Sequence, residues 1–218
     1  MIKLNKIYTR RGDKGSTSLG DGKQVLKHSI RVETYGSVDE ANAFIGLTIL
    51  KAPKQIKKIL LRIQNDLFDL GADLCTPDKK NIKKLKITPD HIRFIEENID
   101  FYNKSLSPLK SFVLPGGSES SVFFHIARTV VRRAERKTSD LLKKERINPH
   151  TISYLNRLSD LLFVLARYLN NKGKRDKFAY NKFKKHFTFF NYFTSICNYS
   201  WPSSFRYNCK YNFYFIFM

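Results

Sequence analysis

The stretch FVLPGGSESSVFFHIARTVVRRAER at residues 112–136 contains an extended apolar segment, a Pro-Gly-Gly turn and one long helical pattern. Ser118 follows the turn and precedes the apolar run, which is the usual position of a helix N-cap residue. At about 100° per residue, one broad arc of the helix is apolar and predicts a core face. Its members are Ile126, Ala127, Val130, Val131, Ala134 and Leu141. We therefore expect a long amphipathic helix to begin at this turn.

The opposite arc of the same helix is crowded with basic and acidic side chains. Its members are His125, Arg128, Arg132, Glu135 and Arg136. Arginines spaced four residues apart repel one another unless an anion lies among them. A solvated face with Glu135 as an internal partner would also explain the cluster. The helix alone leaves both interpretations open.

The composition of the whole chain narrows the class of protein. Its 218 residues suffice for one domain with a substantial core, and the scarcity of Gly and Pro breaks in the body favours an all-α class. The net charge of +21 favours an anionic partner such as nucleic acid, a membrane surface or a phosphorylated small molecule. The three cysteines form no CxxC pair, so we expect a reducing, cytoplasmic compartment. No run of 18 or more apolar residues predicts a membrane span.

Residues 7–18, IYTRRGDKGSTS, combine glycines, hydroxyl side chains and positive charge. Gly12 and Gly15 allow the backbone to approach a ligand closely, and donors with positive charge on such a loop suit a polyphosphate. The loop is not a Walker A motif, because Asp21 stands where the phosphate-binding lysine is required. Lys27 follows the next turn and could reach the same ligand. An ordinary surface loop has a similar composition.

Four further helices are predicted around these motifs. One follows Arg31, with Ser37 as its expected N-cap, and a second covers residues 54–74, with a polar face of aspartates that we expect to be solvated (Asp66, Asp69 and Asp73). A third starts at Thr88-Pro89 and ends near Tyr102. The last covers residues 151–170 and has one polar stripe, formed by Asn156, Asp160, Phe163 and Arg167. Amides and carboxylates on an otherwise apolar helix need partners, which points to an interface, a ligand or a core network.

Beyond Gly173 the sequence becomes a Phe, Tyr, Asn and Lys mixture without steady periodicity. We therefore predict two regions: a helical-bundle domain at residues 1–173 and an irregular, aromatic-rich C-terminal tail at residues 174–218. The tail is interpreted as a disordered or frameshift-derived segment without a function. An aromatic and basic arm that binds membrane or nucleic acid is the alternative.

Four motifs stand in order along the chain: YTRRGDKGSTS, YGSVDEANAFIG, the stretch at residues 112–136, and YLNRLSDLLFVLARYLN. Together they closely resemble the PduO-type ATP:cob(I)alamin adenosyltransferases over residues 7–170. The resemblance implies an all-α five-helix bundle that assembles as a homotrimer and binds ATP between adjacent subunits. It also implies transfer of the 5′-deoxyadenosyl group of ATP to the cobalt of reduced cobalamin, with Mg²⁺ and with release of triphosphate.

The resemblance also assigns roles to residues, motif by motif. The ATP-binding residues would be Thr9, Arg10, Arg11, Gly12, Thr17, Ser18 and Lys27 of one subunit, with Arg132, Arg133, Ala134, Glu135, Arg136 and Asn156 of its neighbour. Arg128 would pair with Asp39 across the subunit interface, and Asp160 would lie near the active site. The catalytic candidates are therefore Arg132, Arg128, Asp39 and Asp160. Phe112 would pack beside the corrin ring and displace its lower axial ligand.

A flavin-dependent reductase and an adenosylcobalamin-dependent enzyme are the protein partners that this activity implies, and nucleic acid is not expected. Two alternatives stay open at this point. The net charge alone would suit a basic helical module that binds nucleic acid or an anionic membrane. A trimeric chaperone that delivers adenosylcobalamin to a mutase would use the same motifs.

Overall fold

The computed structural model describes residues 8, 10–77, 85–109 and 111–179. The described residues form five helices: α1 (Ile30–Leu50), α2 (Lys54–Cys75), α3 (Pro89–Asn103), α4 (Glu119–Lys144) and α5 (His150–Leu169). Two short antiparallel sheets accompany them, one pairing β1 (Ser16–Ser18) with β2 (Gln24–Leu26) and the other pairing β3 (Val113–Leu114) with β4 (Lys177–Phe178). The predicted all-α five-helix bundle is confirmed.

Helix α4 lies at the centre of the bundle because it packs against both α1 and α5. Helix α2 packs against α1, and α3 packs against α5. Each helix contributes fully buried apolar side chains to one continuous core, including Ile45, Leu60, Ile95, Phe124 and Leu162. Burying one such side chain contributes about 1.5–3 kcal/mol. The central position of α4 leaves its polar flanks to line a groove on each side.

The helix starts were predicted with mixed success. Ser118 is the N-cap of α4, and its Oγ accepts a hydrogen bond from the Ser121 N–H at 3.2 Å. The prediction for Ser37 is wrong, because α1 begins at Ile30 and the Ser37 hydroxyl donates to the Thr34 carbonyl within the helix. Tertiary contacts explain the longer helix: Arg31 is buried and donates to the Leu74 carbonyl and to Glu145.

Two of the three α2 aspartates are buried, so their predicted exposure to solvent is wrong. Asp66 accepts a hydrogen bond from the Tyr154 hydroxyl at 3.1 Å, and burial raises the pKa of this carboxyl. Asp73 accepts from Asn148 Nδ2 at 2.7 Å and from the Ile87 N–H at 3.2 Å. These carboxylates connect α2 to its neighbours. Helical spacing identified a polar face but not the donors that cover it.

The chain reverses direction after α5. Asn171, Lys172 and Gly173 all have positive φ values, of 57°, 51° and 79°. The turn brings Phe178 opposite Val113 and Lys177 opposite Leu114 in the second sheet. Contacts with the bundle therefore continue past Gly173. Residues 180–218 lie outside the described residues, and the division of the chain into a domain and a tail stays a prediction.

Candidate active site

Residues from two predicted motifs meet where α4 faces α5. Asn156 Nδ2 donates a hydrogen bond to Glu135 Oε1 at 3.0 Å, and Arg157 donates to Asn156 Oδ1. Asp160 lies one turn further along α5, close enough to Glu135 and Arg132 for both charges to act on its carboxyl. We call Arg132, Glu135, Asn156 and Asp160 the α4–α5 cluster. A cavity of about 460 Å³ adjoins it, lined by Glu96, Ile99, Asp100, Arg157, Asp160, Phe163 and Val164.

Burial raises the pKa of Asp160 to about 6, with Glu135 acting in the same direction and the nearby arginines opposing it. Because the folded state holds this proton more tightly than the unfolded state, its contribution to stability is lost as pH rises from about 4 to 6. Asp160→Asn has no such proton. We expect its stability relative to the wild type to increase by about 2 kcal/mol between about pH 4 and pH 8.

Urea unfolding of the two proteins at both pH values measures this difference. Only the change with pH is diagnostic, since a constant offset reflects the packing of the amide. A stability difference that is the same at both pH values would contradict the raised pKa of Asp160.

A second polar cavity lies on the other side of α4, against α1. Its volume is about 260 Å³, and it is lined by Lys27, Val32, Glu33, Gly36, Ser37, Glu40, Arg133 and Lys137. Arg133 forms an ion pair with Glu40, and Lys137 Nζ lies 3.2 Å from Glu33 Oε1. A Cβ atom on Gly12 would lie 2.9 Å from Lys27 Nζ, so the N-terminal loop reaches this cavity. The family resemblance assigned Lys27 and Arg133 to ATP-binding positions of different subunits. Within a single chain, the two side chains line one cavity.

The N-terminal loop is held by β1 and β2 while its basic side chains remain exposed. Thr17 is partly buried and forms a hydrogen bond with Tyr35 on α1. Ser18 Oγ accepts a hydrogen bond from Gln24 Nε2 at 2.6 Å. Arg10 and Arg11 are exposed, and the Arg10 backbone has a φ of 59°. Thr9, the first predicted ATP-binding residue, lies outside the described residues.

Three residues of α4 do not lie where periodicity predicted. Ile126, predicted in the core, is 37% exposed, whereas His125 and Arg128, predicted on the polar arc, are only 3% and 7% exposed. Both side chains flank Phe163 on α5: the His125 ring centroid lies 6.2 Å from that of Phe163, and the Arg128 guanidinium carbon lies 5.9 Å from it. Periodicity alone could not reveal these neighbours on α5.

The buried pair His125 and Arg128 is incompletely satisfied. His125 Nδ1 and Arg128 Nε have no hydrogen-bond partner within the described part of the chain. Burial lowers the pKa of His125 to about 4, and the Arg128 charge acts in the same direction, so the imidazole is neutral at physiological pH. Burial also lowers the pKa of Arg128. Asp39 is exposed on α1, and no ion pair joins it to Arg128 among the described residues.

Phe112 lies on the segment that connects α3 to α4, at the start of β3. Its side chain is 38% exposed, and its carbonyl accepts a hydrogen bond from the Ala179 N–H at 2.9 Å. Leu114 and Phe178 in the same small sheet are each 44% exposed. The sheet thus presents apolar side chains to its surroundings. The sequence patterns did not predict that residues after Gly173 would support it.

The five-helix bundle with an arginine-rich central helix matches a known protein family. The family model for cobalamin adenosyltransferase matches residues 7–169, and the chain belongs to this family. The predicted PduO-type resemblance is confirmed. In the part of the chain that the structure describes, no helix has the length and apolar character needed to cross a membrane.

Individual relatives support the same assignment. The corrinoid adenosyltransferase of Mycobacterium tuberculosis (strain H37Rv) is 48% identical over 178 residues, which cover 79% of this chain and 92% of the relative. That of Bacillus subtilis is 45% identical over 173 residues, covering 77% and 88%. A variant PduO-type ATP:corrinoid adenosyltransferase from Lactobacillus reuteri, solved with cobalamin and ATP, superposes with a TM-score of 0.77 at 37% identity, covering 81% of this chain and all of that one.

Proposed function

We infer that this protein is an ATP:corrinoid adenosyltransferase, which transfers the 5′-deoxyadenosyl group of ATP to the cobalt of reduced cobalamin. The observation on which this rests is the α4–α5 cluster. It joins the two most specific motifs of the sequence in one place, within a chain of the cobalamin adenosyltransferase family. The function predicted from the motifs is the one named for the relatives compared above.

The chemistry explains why the site is rich in cations. Cobalt(I) supplies the electron pair of the new bond to C5′, and the C5′–O bond breaks with its electrons leaving on triphosphate. The protein therefore needs no nucleophile or general base of its own. It must stabilise the negative charge that grows on the leaving group, and fixed cations near such a charge contribute about 3–4 kcal/mol each. We propose that Arg132 and Arg133 of one subunit and Lys27 of its neighbour have this role.

The two substrates and the subunit contact are assigned as follows. The exposed loop with Arg10, Arg11 and Gly12 would bind the nucleotide, and Phe112 would form an apolar wall beside the corrin. Arg128, buried and with an unpartnered Nε, would receive Asp39 of the neighbouring subunit in a homotrimer. This partner would supply the carboxylate that a buried guanidinium needs.

Mg²⁺ is expected to enter with ATP. Across residues 8, 10–77, 85–109 and 111–179, no group of three or more His, Cys, Asp or Glu side chains could hold a metal ion. Such a protein cage is not required, because Mg²⁺ commonly binds through substrate phosphates, waters and one or two carboxylates. The described residues define no site for the ion, and we derive no catalytic step through it.

Conversion of cobalamin tests the proposed activity directly. The full chain is incubated with ATP, Mg²⁺ and chemically reduced cobalamin, and adenosylcobalamin is followed by its visible absorption. A homologous corrinoid adenosyltransferase serves as the positive control, and omission of ATP as the negative one. No product from this chain beside an active homologue would remove the enzyme claim. Pull-downs with candidate flavin-dependent reductases and adenosylcobalamin-dependent enzymes would test the predicted partners.

Lys27→Ala is expected to raise the KM for ATP by about tenfold, which corresponds to loss of one charge-assisted contact of about 1.4 kcal/mol. The reason is its place in the α1–α4 cavity beside Arg133, under the loop at Gly12. Steady-state kinetics with varied ATP measure the effect. Lys143→Ala, which removes an exposed lysine from the last turn of α4, is the matched control. Equal KM values for Lys27→Ala and the control would contradict this role.

A further inference from the structure

The segment that follows α5 is bonded to the loop that bears Phe112. Asp176 is the centre of these contacts, and its side chain is 1% exposed. Its Oδ2 accepts a hydrogen bond from Arg167 Nε at 2.8 Å, and its Oδ1 accepts from Asn170 Nδ2 at 2.8 Å. The Arg167 side chain is 6% exposed, so this ion pair is buried at both ends.

The two partners of Asp176 hold opposite ends of the loop at residues 107–118. Arg167 Nη2 donates to the Ser107 carbonyl at 3.0 Å, where the loop begins. Asn170 Oδ1 accepts from the Ser118 N–H at 3.1 Å, where the loop ends and α4 starts. One carboxylate therefore orients both side chains that fix the ends of the loop.

The middle of the same loop is held by the strand that follows Asp176. β4 pairs with β3, and the Ala179 N–H donates to the Phe112 carbonyl at 2.9 Å. This bond fixes the backbone of Phe112, a residue that is 38% exposed. Three contacts on this loop thus depend on the chain between residues 167 and 179.

We propose that Asp176 is a positioning residue for Phe112: with Arg167, Asn170 and β4, it holds the Phe112 loop so that the ring can displace the lower axial ligand of the corrinoid. This inference deepens the proposed function and rests on it. It assigns a role to residues beyond Gly173, where no functional residue was predicted. It also limits that role to cob(II)alamin, the stage of the reaction at which cobalt still has a lower axial ligand.

The axial ligation of cobalt distinguishes a role of Asp176 in ligand displacement from a general structural role. Cob(II)alamin has a lower axial ligand, and axial ligation tunes the reduction potential of a metal centre. Cob(I)alamin has no axial ligand to remove. A loosened Phe112 loop should therefore impair the reaction that starts from cob(II)alamin with a reductant and spare the reaction that starts from chemically prepared cob(I)alamin.

The experiment compares full-chain variants in both assays. Asp176→Asn is expected to slow the cob(II)alamin reaction by about tenfold to a hundredfold, the range that a misplacement of about 1 Å costs, and the cob(I)alamin reaction by less than about twofold. Electron paramagnetic resonance of cob(II)alamin with ATP should retain the signal of the lower-ligand nitrogen in this variant and lose it in the wild type. Asp90→Asn, which alters an exposed ion pair on α3, is the matched control.

A second pair of variants tests the strand without touching the buried charge. Ala179→Pro removes the N–H that bonds the Phe112 carbonyl, whereas Ala179→Ser keeps it. The proline variant should show the same selective loss even where Asp176→Asn folds poorly.

Retention of wild-type ligand displacement in both Asp176→Asn and Ala179→Pro would overturn the inference. Equal loss in the cob(II)alamin and cob(I)alamin assays would do the same, since that indicates a general structural role. A wild-type chain inactive with cob(I)alamin would instead overturn the proposed function, and this inference with it.

Discussion

Arg132→Ala is expected to lower kcat by about 10²–10³-fold, the effect of removing one preorganised donor from a developing anion. Arg132 projects from the middle of α4 into the α4–α5 cluster, where its charge acts on the Asp160 carboxyl. Only the leaving triphosphate gains negative charge during the reaction, so the loss should fall on kcat more than on the KM for ATP. Single-turnover conversion of cob(I)alamin measures it without interference from product release.

The control for this prediction is Arg93→Ala. Arg93 is exposed on α3, pairs with Asp90 at the surface and lines neither cavity, so its loss should leave kcat unchanged. Size-exclusion chromatography with light scattering should give the same assembly for wild type and both variants. Full activity of Arg132→Ala would show that the arginine face of α4 does not meet the leaving group.

Arg128→Ala is expected to weaken assembly of the proposed homotrimer by about 2–5 kcal/mol per interface, the range for removing one member of a buried, hydrogen-bonded charge pair. Arg128 is 7% exposed, its Nε has no partner among the described residues, and burial already lowers its pKa. A carboxylate from a neighbouring subunit would accept a hydrogen bond from this Nε–H, and Asp39 is the proposed acceptor. Sedimentation at decreasing protein concentration measures the loss.

A double-mutant cycle distinguishes a specific pair from a general packing effect. Once Arg128 is absent, Asp39→Ala should add little further destabilisation of the trimer, because the two residues act together. Additive losses would show that Asp39 and Arg128 do not contact each other. Asp90→Ala, which removes an exposed carboxylate on α3, should leave assembly unaffected.

The features predicted well are those that depend on local sequence. Ser118 caps α4 because a hydroxyl after a Gly turn satisfies backbone donors wherever the rest of the chain lies. Periodicity likewise placed α2 at Lys54–Cys75 and α5 at His150–Leu169, within two residues of the predicted bounds. The family resemblance, rather than local sequence, assigned Glu135 and Asn156 to one site, and a direct hydrogen bond joins them.

The errors concern side chains whose surroundings come from distant parts of the chain. Asp73 can be buried because Asn148 and the Ile87 N–H, 75 and 14 residues away, donate to its carboxylate. Arg128 and His125 are buried, and Phe163 of another helix lies beside both. A polar side chain occupies the same position in the helical repeat whether it is buried by a neighbouring helix or exposed to solvent. Only the packing of the neighbouring helix decides between them.

Gly117, in the turn before α4, limits which sequences this fold accepts. Its φ is +103°, and a Cβ atom there would overlap the Asn170 side chain. A substitution would therefore strain the backbone and also push away the amide that accepts from the Ser118 N–H. In a saturation library selected for adenosyltransferase activity, position 117 should retain glycine alone. Gly116 next to it should tolerate small residues, because a Cβ there would make only an ordinary contact of 4.0 Å with the Leu114 carbonyl oxygen.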